Sequence, residues 1–290
     1  MILFNYRLRV SVSRTRKELK WNFRSIDVAR DFSVKMFHPP HPGGEVFGTV
    51  GTRRPDDNIM LCGGYANNSA LTGCHTLSLD DTWVPAPPML DGRVDGAAGW
   101  VGSEWMVTGG SNGEVGGWLA STELFKDGEW SAGTDLPVAV QGHCMVQLNN
   151  THVLYSGGWE EGGNLSRSTY IYSKDQGWRS VGKMGTGRAW HGCAVVGDDV
   201  WVVGGNTGHG DTDTSEILSL ASNTWSPGPS IPIQGWGGRL AVVQGLLLYV
   251  GGWLDRGIYK LSNRKWIRLL EMDTERSQFS IVLLENFCCN

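Results

Sequence analysis

The side chains able to do chemistry in this chain are few and scattered. Histidine occurs at seven positions, His38, His41, His75, His143, His152, His191 and His209. An imidazole ligates metals or moves protons near neutral pH only with partners at suitable spacing. His209-Gly-Asp211-Thr-Asp213 gathers three such groups in one loop. A calcium loop, however, needs about six to eight oxygens and a closing bidentate Glu. None stands at that spacing, so the stretch reads as a solvated polar loop. His38-Pro-Pro-His41 is too rigid and isolated to be more than a weak metal hint. The six cysteines, Cys62, Cys74, Cys144, Cys193, Cys288 and Cys289, contain no Cys-x-x-Cys pair and give a zinc site little support. Neither a P-loop nor a His-Glu-x-x-His stretch is present. No catalytic residue, metal site or cofactor is expected.

The scaffold that must position these groups announces itself in the composition. The 290 residues include 41 glycines and 14 tryptophans, with 40% hydrophobic and 19% charged content. Such a chain can bury enough apolar surface to fold, and its ordinary proline share excludes a collagen or Pro/Gly low-complexity tract. No run is long and apolar enough for a membrane-spanning helix, so no membrane insertion is expected. The net charge of −4 is uneven: residues 1–35 carry nine Lys/Arg against three acids. The remainder is acidic, which disfavours nucleic-acid binding. Residues 1–24 form a basic segment to which no role is assigned.

Repeats organise the rest. Gly-Gly pairs begin at Gly63, Gly109, Gly157, Gly204 and Gly251, at intervals of 46, 48, 47 and 47 residues, and each is followed in register by a tryptophan, Trp83, Trp130, Trp178, Trp225 and Trp266. Apolar runs such as Val200–Val203 and Leu246–Val250 precede the pairs and read as strands covered on both faces. An upstream apolar stretch joined by a polar turn supplies a strand a to this strand b. An alternating segment after the glycines gives strand c, and the tryptophan lies on strand d. Units of four short strands cannot satisfy their own faces and edges, so they must stack, and radial closure is the economical solution. The fold class expected is an all-β propeller of four-stranded antiparallel blades, with the glycines letting backbone and the repeat tryptophan approach closely where blades meet.

The order of apolar run, Gly-Gly, alternating strand, Trp and then Met/Pro and Arg (Met89 to Arg93, Met184 to Arg188, Met272 to Arg276) resembles the kelch repeat over residues 33–290. Repeats are expected at about 45–90, 91–137, 138–185, 186–233 and 234–272. Six blades are expected, the last composite. Its strands c and d come from residues 25–40, with Ser25–Val28 as strand c and Phe37 at the tryptophan position, and its strands a and b come from residues 273–290. The bare alternative is that both termini belong to an incomplete gene model.

In such a blade the b–c and d-to-next-a loops share one face of the disc. These are the longer loops, and long loops on a rigid scaffold are where binding concentrates. That face collects Trp118, Trp159, Trp190, Trp236 and Trp253, with Arg93, Arg188, Arg239 and Arg256 nearby, and Trp and Arg are the residues richest in interface hot spots. The kelch resemblance implies a protein or peptide partner here, acidic or a short linear segment, and a non-enzymatic scaffold or adaptor. It also raises two rivals: the recognition part of a BTB-type ubiquitin-ligase adaptor, for which the residues before the first blade are too few, and a galactose-oxidase-like or isomerase enzyme. For the oxidase, no matching Tyr/Cys/His constellation can be mapped. His143 and His191 sit at equivalent starts of strand a, where a structural role is preferred. Cys62 and Cys74 could face each other across neighbouring strands as a disulfide or stay two buried thiols. The compartment stays open with them, slightly toward cytoplasm unless they are bridged. Sequons at Asn67, Asn149 and Asn164 do not decide it.

Overall fold

The computed structural model describes residues 2–5, 33–36, 46–78, 82–272 and 277–284. Among them there is no helix, and none long and apolar enough to cross a membrane. Five antiparallel sheets of four strands follow the repeats, each ordered a-b-c-d. The first blade pairs Val50–Arg53, Ile59–Cys62, Cys74–Leu77 and Trp83–Ala86; the second, Ala97–Val101, Glu104–Thr108, Thr122–Lys126 and Glu129–Ala132. The third contains Cys144–Gln147, Val153–Ser156, Thr169–Ser173 and Gly177–Ser180. Gly192–Val196, Asp199–Val203, Ser215–Ser219 and Thr224–Pro227 make the fourth, and Arg239–Val243, Leu246–Val250, Gly257–Ser262 and Lys265–Glu271 the fifth. The continuous apolar runs are strands b, buried on both faces as their composition requires.

The innermost strands touch in chain order around a central channel. Ile281–Leu284 closes the ring between Arg239–Val243 and Val50–Arg53, giving six inner strands. In the sixth sheet, Ile2–Asn5 runs parallel to Ile281–Leu284 and antiparallel to Ser33–Met36. Both termini therefore enter one sheet, but in a different order from that expected. The N-terminal Ile-Leu-Phe run, four residues long and within the segment given no role, takes the place beside the innermost strand. Ser25–Val28, Phe37 and residues 285–290 lie outside the described residues.

A belt of backbone hydrogen bonds ties the six blades at one mouth of the channel. Asp95 N–H donates to Gly48 O (3.0 Å), Gly142 to Asp95 (2.9 Å), Trp190 to Gly142 (2.6 Å), Gly237 to Trp190 (2.7 Å), Gln278 to Gly237 (2.9 Å) and Gly48 to Gln278 (3.2 Å). Each blade contributes one residue, and all six have left-handed φ between 49° and 75°, from 52° at Trp190 and Gln278 to 75° at Gly237. Glycine adopts this conformation freely, whereas Asp95, Trp190 and Gln278 hold it at a cost that the closed belt must sustain. The glycines alternate with them for a steric reason as well: a Cβ on Gly142 would lie 2.8 Å from the Trp190 ring.

The Gly-Gly pairs act one level out. Both residues of each pair are left-handed. The second donates its N–H to a carbonyl of the loop leading to the next blade: Gly64 to Arg93, Gly110 to Val140, Gly158 to Arg188 and Gly205 to Gly235, at 2.8–2.9 Å. A Cβ at Gly157 would stand 2.5 Å from Arg188 O. The close approach of backbone is thus as expected, but the repeat tryptophans do not lie against these glycines. Their indole N–H groups instead reach back to the preceding blade, from Trp130 to Pro87 O, Trp178 to Thr134 O, Trp225 to Gly182 O and Trp266 to Pro229 O, at 2.9–3.2 Å. Glycine and tryptophan stitch opposite margins of each blade.

Candidate functional site

The loops of the belt side carry the five non-repeat tryptophans, and the fold brings all five into one arc. Ring centroids are separated by 6.5 Å from Trp118 to Trp159, 5.7 Å from Trp159 to Trp190, 5.6 Å from Trp190 to Trp236 and 5.2 Å from Trp236 to Trp253. The last pair is stacked at 15°, and Trp253 N–H donates to Trp236 O at 2.8 Å. Trp118, Trp159 and Trp253 come from b–c loops; Trp190 and Trp236 come from d–a loops. Edge-to-face and offset arrangements at these spacings hold the indoles in place. Trp190 is fixed further by its indole N–H, which donates to Asp95 Oδ2 at 2.9 Å, the same oxygen that accepts from Gln278 Nε2 at 2.8 Å. Burial raises the Asp95 carboxyl above its ordinary range, against the pull of the Trp190 hydrogen bond, the Arg239 charge and the Gln278 hydrogen bond. Trp253 is 48% exposed, with Leu254, Val115 and Phe47 also exposed on this face.

The arginines grouped with these tryptophans behave differently. Arg93 and Arg188 are 1% and 0% exposed and lie beneath the face, so neither is available to a partner. Arg188 Nη1 donates to Gly204 O (2.8 Å) and Thr214 O (3.1 Å), and Nη2 to Glu216 Oε1 (2.8 Å). Arg93 repeats the pattern with Gly109 O, Ser121 O and Glu123. The carboxylates are held in turn by Leu90 and Asp91 N–H at Glu123 and by Gly185 and Thr186 N–H at Glu216. Burial lowers the Arg188 guanidinium and Glu216 opposes this, so the pair is a clasp between consecutive blades. Arg256 is ion-paired with Glu271 at 2.7 Å. Arg239 lines the channel beneath the belt and is lowered by burial, with Asp95 raising it.

That channel contains a cavity of about 170 Å³ bordered by Thr49, Gly96, His143, His191, Arg239 and Ser280. His143 and His191 are buried, their Nε2 atoms bonded to Thr108 Oγ1 (2.9 Å) and Ser156 Oγ (3.2 Å). Burial, then the Arg93 charge, holds His143 down to about 3; burial, then Arg188, Arg239 and His143, holds His191 well below the usual imidazole range. Both are neutral structural side chains at neutral pH. Among the described residues no three His, Cys, Asp or Glu side chains cluster to hold a metal ion. His38 and His41 lie outside those residues. Gly109-Gly-Ser-Asn-Gly113 has the Gly-x-Ser-x-Gly spacing of a hydrolase elbow, a match the sequence reading passed over. Its Ser111 is 8% exposed and bridges Val94 and Trp118 in a β-bridge, without the strand-to-helix turn that exposes such a nucleophile.

Cys62 and Cys74 stand directly opposite one another on strands b and c of the first blade, their sulfurs within bonding distance. A second pair joins the inner strands of the third and fourth blades, Cys144 to Cys193. No sequence spacing announced it, because 49 residues separate the two. We expect both pairs to be bridged in the purified protein. Alkylation without reductant should leave all four unmodified, and peptide mapping should recover both links. Alkylation of any of the four would exclude its bridge.

The repeat register, the ring of blades and the Gly-Gly contacts coincide with a family match. Residues 187–232, the fourth repeat, match the model of the Kelch motif. The chain is a kelch-repeat protein. This kelch chain is 26% identical to Kelch-like protein 40 of Xenopus laevis over 60% of its length, and 27% identical to Kelch-like protein 40 of Mus musculus over the same share. It is also 29% identical over 43% of its length to Kelch-like protein 41b of Danio rerio. The matched regions span 29%, 28% and 20% of those relatives, so less than a third of each. The solved structure of YjhT superposes with a TM-score of 0.73 at 15% identity, covering 84% of this kelch chain and 89% of YjhT, and speaks for the fold alone.

Proposed function

We propose that this kelch propeller is a non-enzymatic interaction module that presents its tryptophan face to a protein or peptide. The observation that carries the reading is the unbroken arc of five indoles, built on loops that the belt and the Gly-Gly contacts make rigid. Preorganised aromatic surface costs little entropy to use in binding and offers large contact area with directed N–H donors. The binding set is Trp118, Trp159, Trp190, Trp236 and Trp253. Arg239 and Arg256 stand at its margin, and Arg93 and Arg188 become supports for the loops.

Proximity labelling in the source cells tests this. The partner enriched by the wild-type chain should be lost with Trp236→Ala and Trp253→Ala, and kept with Asp198→Ala on the exposed a–b turn of the opposite face. Equal enrichment by all four chains would overturn the assignment of the face.

A further inference from the structure

The charges around the tryptophan arc identify its ligand more closely. The b–c loops carry Glu114, Glu160, Glu161, Asp211, Asp213 and Asp255, and none of the six is in an ion pair among the described residues. Glu160 directly follows Trp159, Asp255 lies two residues past Trp253 and Glu114 four before Trp118. The cations that would balance them are already occupied. Arg93, Arg188 and Arg256 are paired with Glu123, Glu216 and Glu271. Arg167 donates its Nε to Met184 O, and Arg239 lies under the belt beside Asp95. The outer starts of the d–a loops add Asp91, Asp135 and Lys183, which leaves the sign unchanged. The face is acidic and aromatic.

An acidic partner, as the kelch resemblance implies, would meet like charge over this surface. Resting on the reading of the face as an interaction surface, we infer that its occupant is an extended peptide segment bearing arginine side chains, which lie across the exposed indoles while their charges meet the acidic b–c loops. A guanidinium plane stacks on an indole and is attracted by the ring quadrupole. The arc supplies successive indoles at 5.2–6.5 Å, the scale of successive side chains along an extended strand or polyproline-like segment. The surrounding carboxylates steer approach and favour this sign of ligand over the opposite one.

The test uses hexa-arginine and hexa-glutamate as probes of the full chain at low salt, followed by calorimetry and by quenching of tryptophan fluorescence. Hexa-arginine should bind and quench, and hexa-glutamate should not. Trp253→Ala should weaken hexa-arginine about fivefold, as a partly exposed cation–π contact predicts, and Trp253→Phe should restore part of the loss. Exposed Glu114→Gln with Glu161→Gln should weaken it further and flatten its salt dependence. Both changes sit on solvent-facing side chains, and an unchanged melting temperature confirms folding. Hexa-glutamate binding, absence of hexa-arginine binding, or hexa-arginine affinity indifferent to Trp253→Ala would each overturn the inference. If the proximity-labelled partner still depends on Trp236 and Trp253 in that case, the basic ligand falls and the interaction face stands.

Discussion

Arg188→Ala should lower the free energy of unfolding by about 3–5 kcal/mol, the range found when one member of a buried ion pair is removed and the other stays buried without compensation. The side chain is 0% exposed and makes four contacts, to Gly204 O, Thr214 O, Thr214 Oγ1 and Glu216. Its loss would leave a carboxylate held only by Gly185 and Thr186 N–H, and two carbonyls without their donor. The contacts also join one blade to the next, because the Arg188 carbonyl accepts from Gly158 of the third blade while its side chain grips the fourth. Urea denaturation at neutral pH measures the effect. The double change Arg188→Met with Glu216→Leu should recover much of the loss, because it removes the charge left behind as well as the pair. A loss below about 1 kcal/mol for Arg188→Ala would mean that the pair behaves as an exposed one. Arg93→Ala should act similarly through Glu123, and the two effects should add, since they lie at separate blade junctions.

This clasp also shows where sequence reasoning succeeds and where it stops. The Met-to-Arg stretches were legible as a repeated feature, as were the four-strand period and the Gly-Gly register, because each is a local pattern that recurs every 46–48 residues. The destination of the arginine was not legible. A loop arginine at a fixed offset is equally compatible with a partner above the disc and with Glu123 or Glu216 beneath it, and only the burial of those carboxylates decides. Trp190 is a related case. Its place on the long-loop face was readable, but its left-handed backbone, its place in the belt and its bond to Asp95 depend on residues 48 to 95 positions away. The five-indole arc likewise joins four blades, and no single repeat contains it. The composite closure was readable as a matter of length and spacing, since five complete repeats left strand-like residues at both ends. The place of Ile2–Asn5 was not, because a four-residue apolar run ahead of a basic stretch carries no periodic signal.

The second large effect is a loss of stability in mild acid. His143 and His191 are 6% and 1% exposed, so solvent screens their surroundings little. Burial is the first cause of depression at both, with Arg93 adding to it at His143 and Arg188 at His191. In the unfolded chain each titrates near 6.5. In the folded chain His143 is held down to about 3 and His191 well below 6.5, so between those limits the unfolded state binds protons that the native state refuses. The stability they confer is therefore fully present above pH 6.5 and is lost as the pH falls through the window beneath it. Each histidine raises the unfolding constant about tenfold per pH unit once below its unfolded pKa. Together they should give roughly a hundredfold increase between pH 5.5 and 4.5. Asp95 works in the opposite sense, because its raised carboxyl favours the fold on protonation, but only below that raised value. Urea titrations from pH 7.5 to 4.5 read the slope directly. His143→Gln with His191→Gln should lower stability at neutral pH, through lost bonds to Thr108 and Ser156, and yet flatten the acid slope. A variant that keeps the wild-type slope would show that other groups carry the acid sensitivity. A flattened slope would place it at the two imidazoles under the belt, where the hydrogen bonds of all six blades converge.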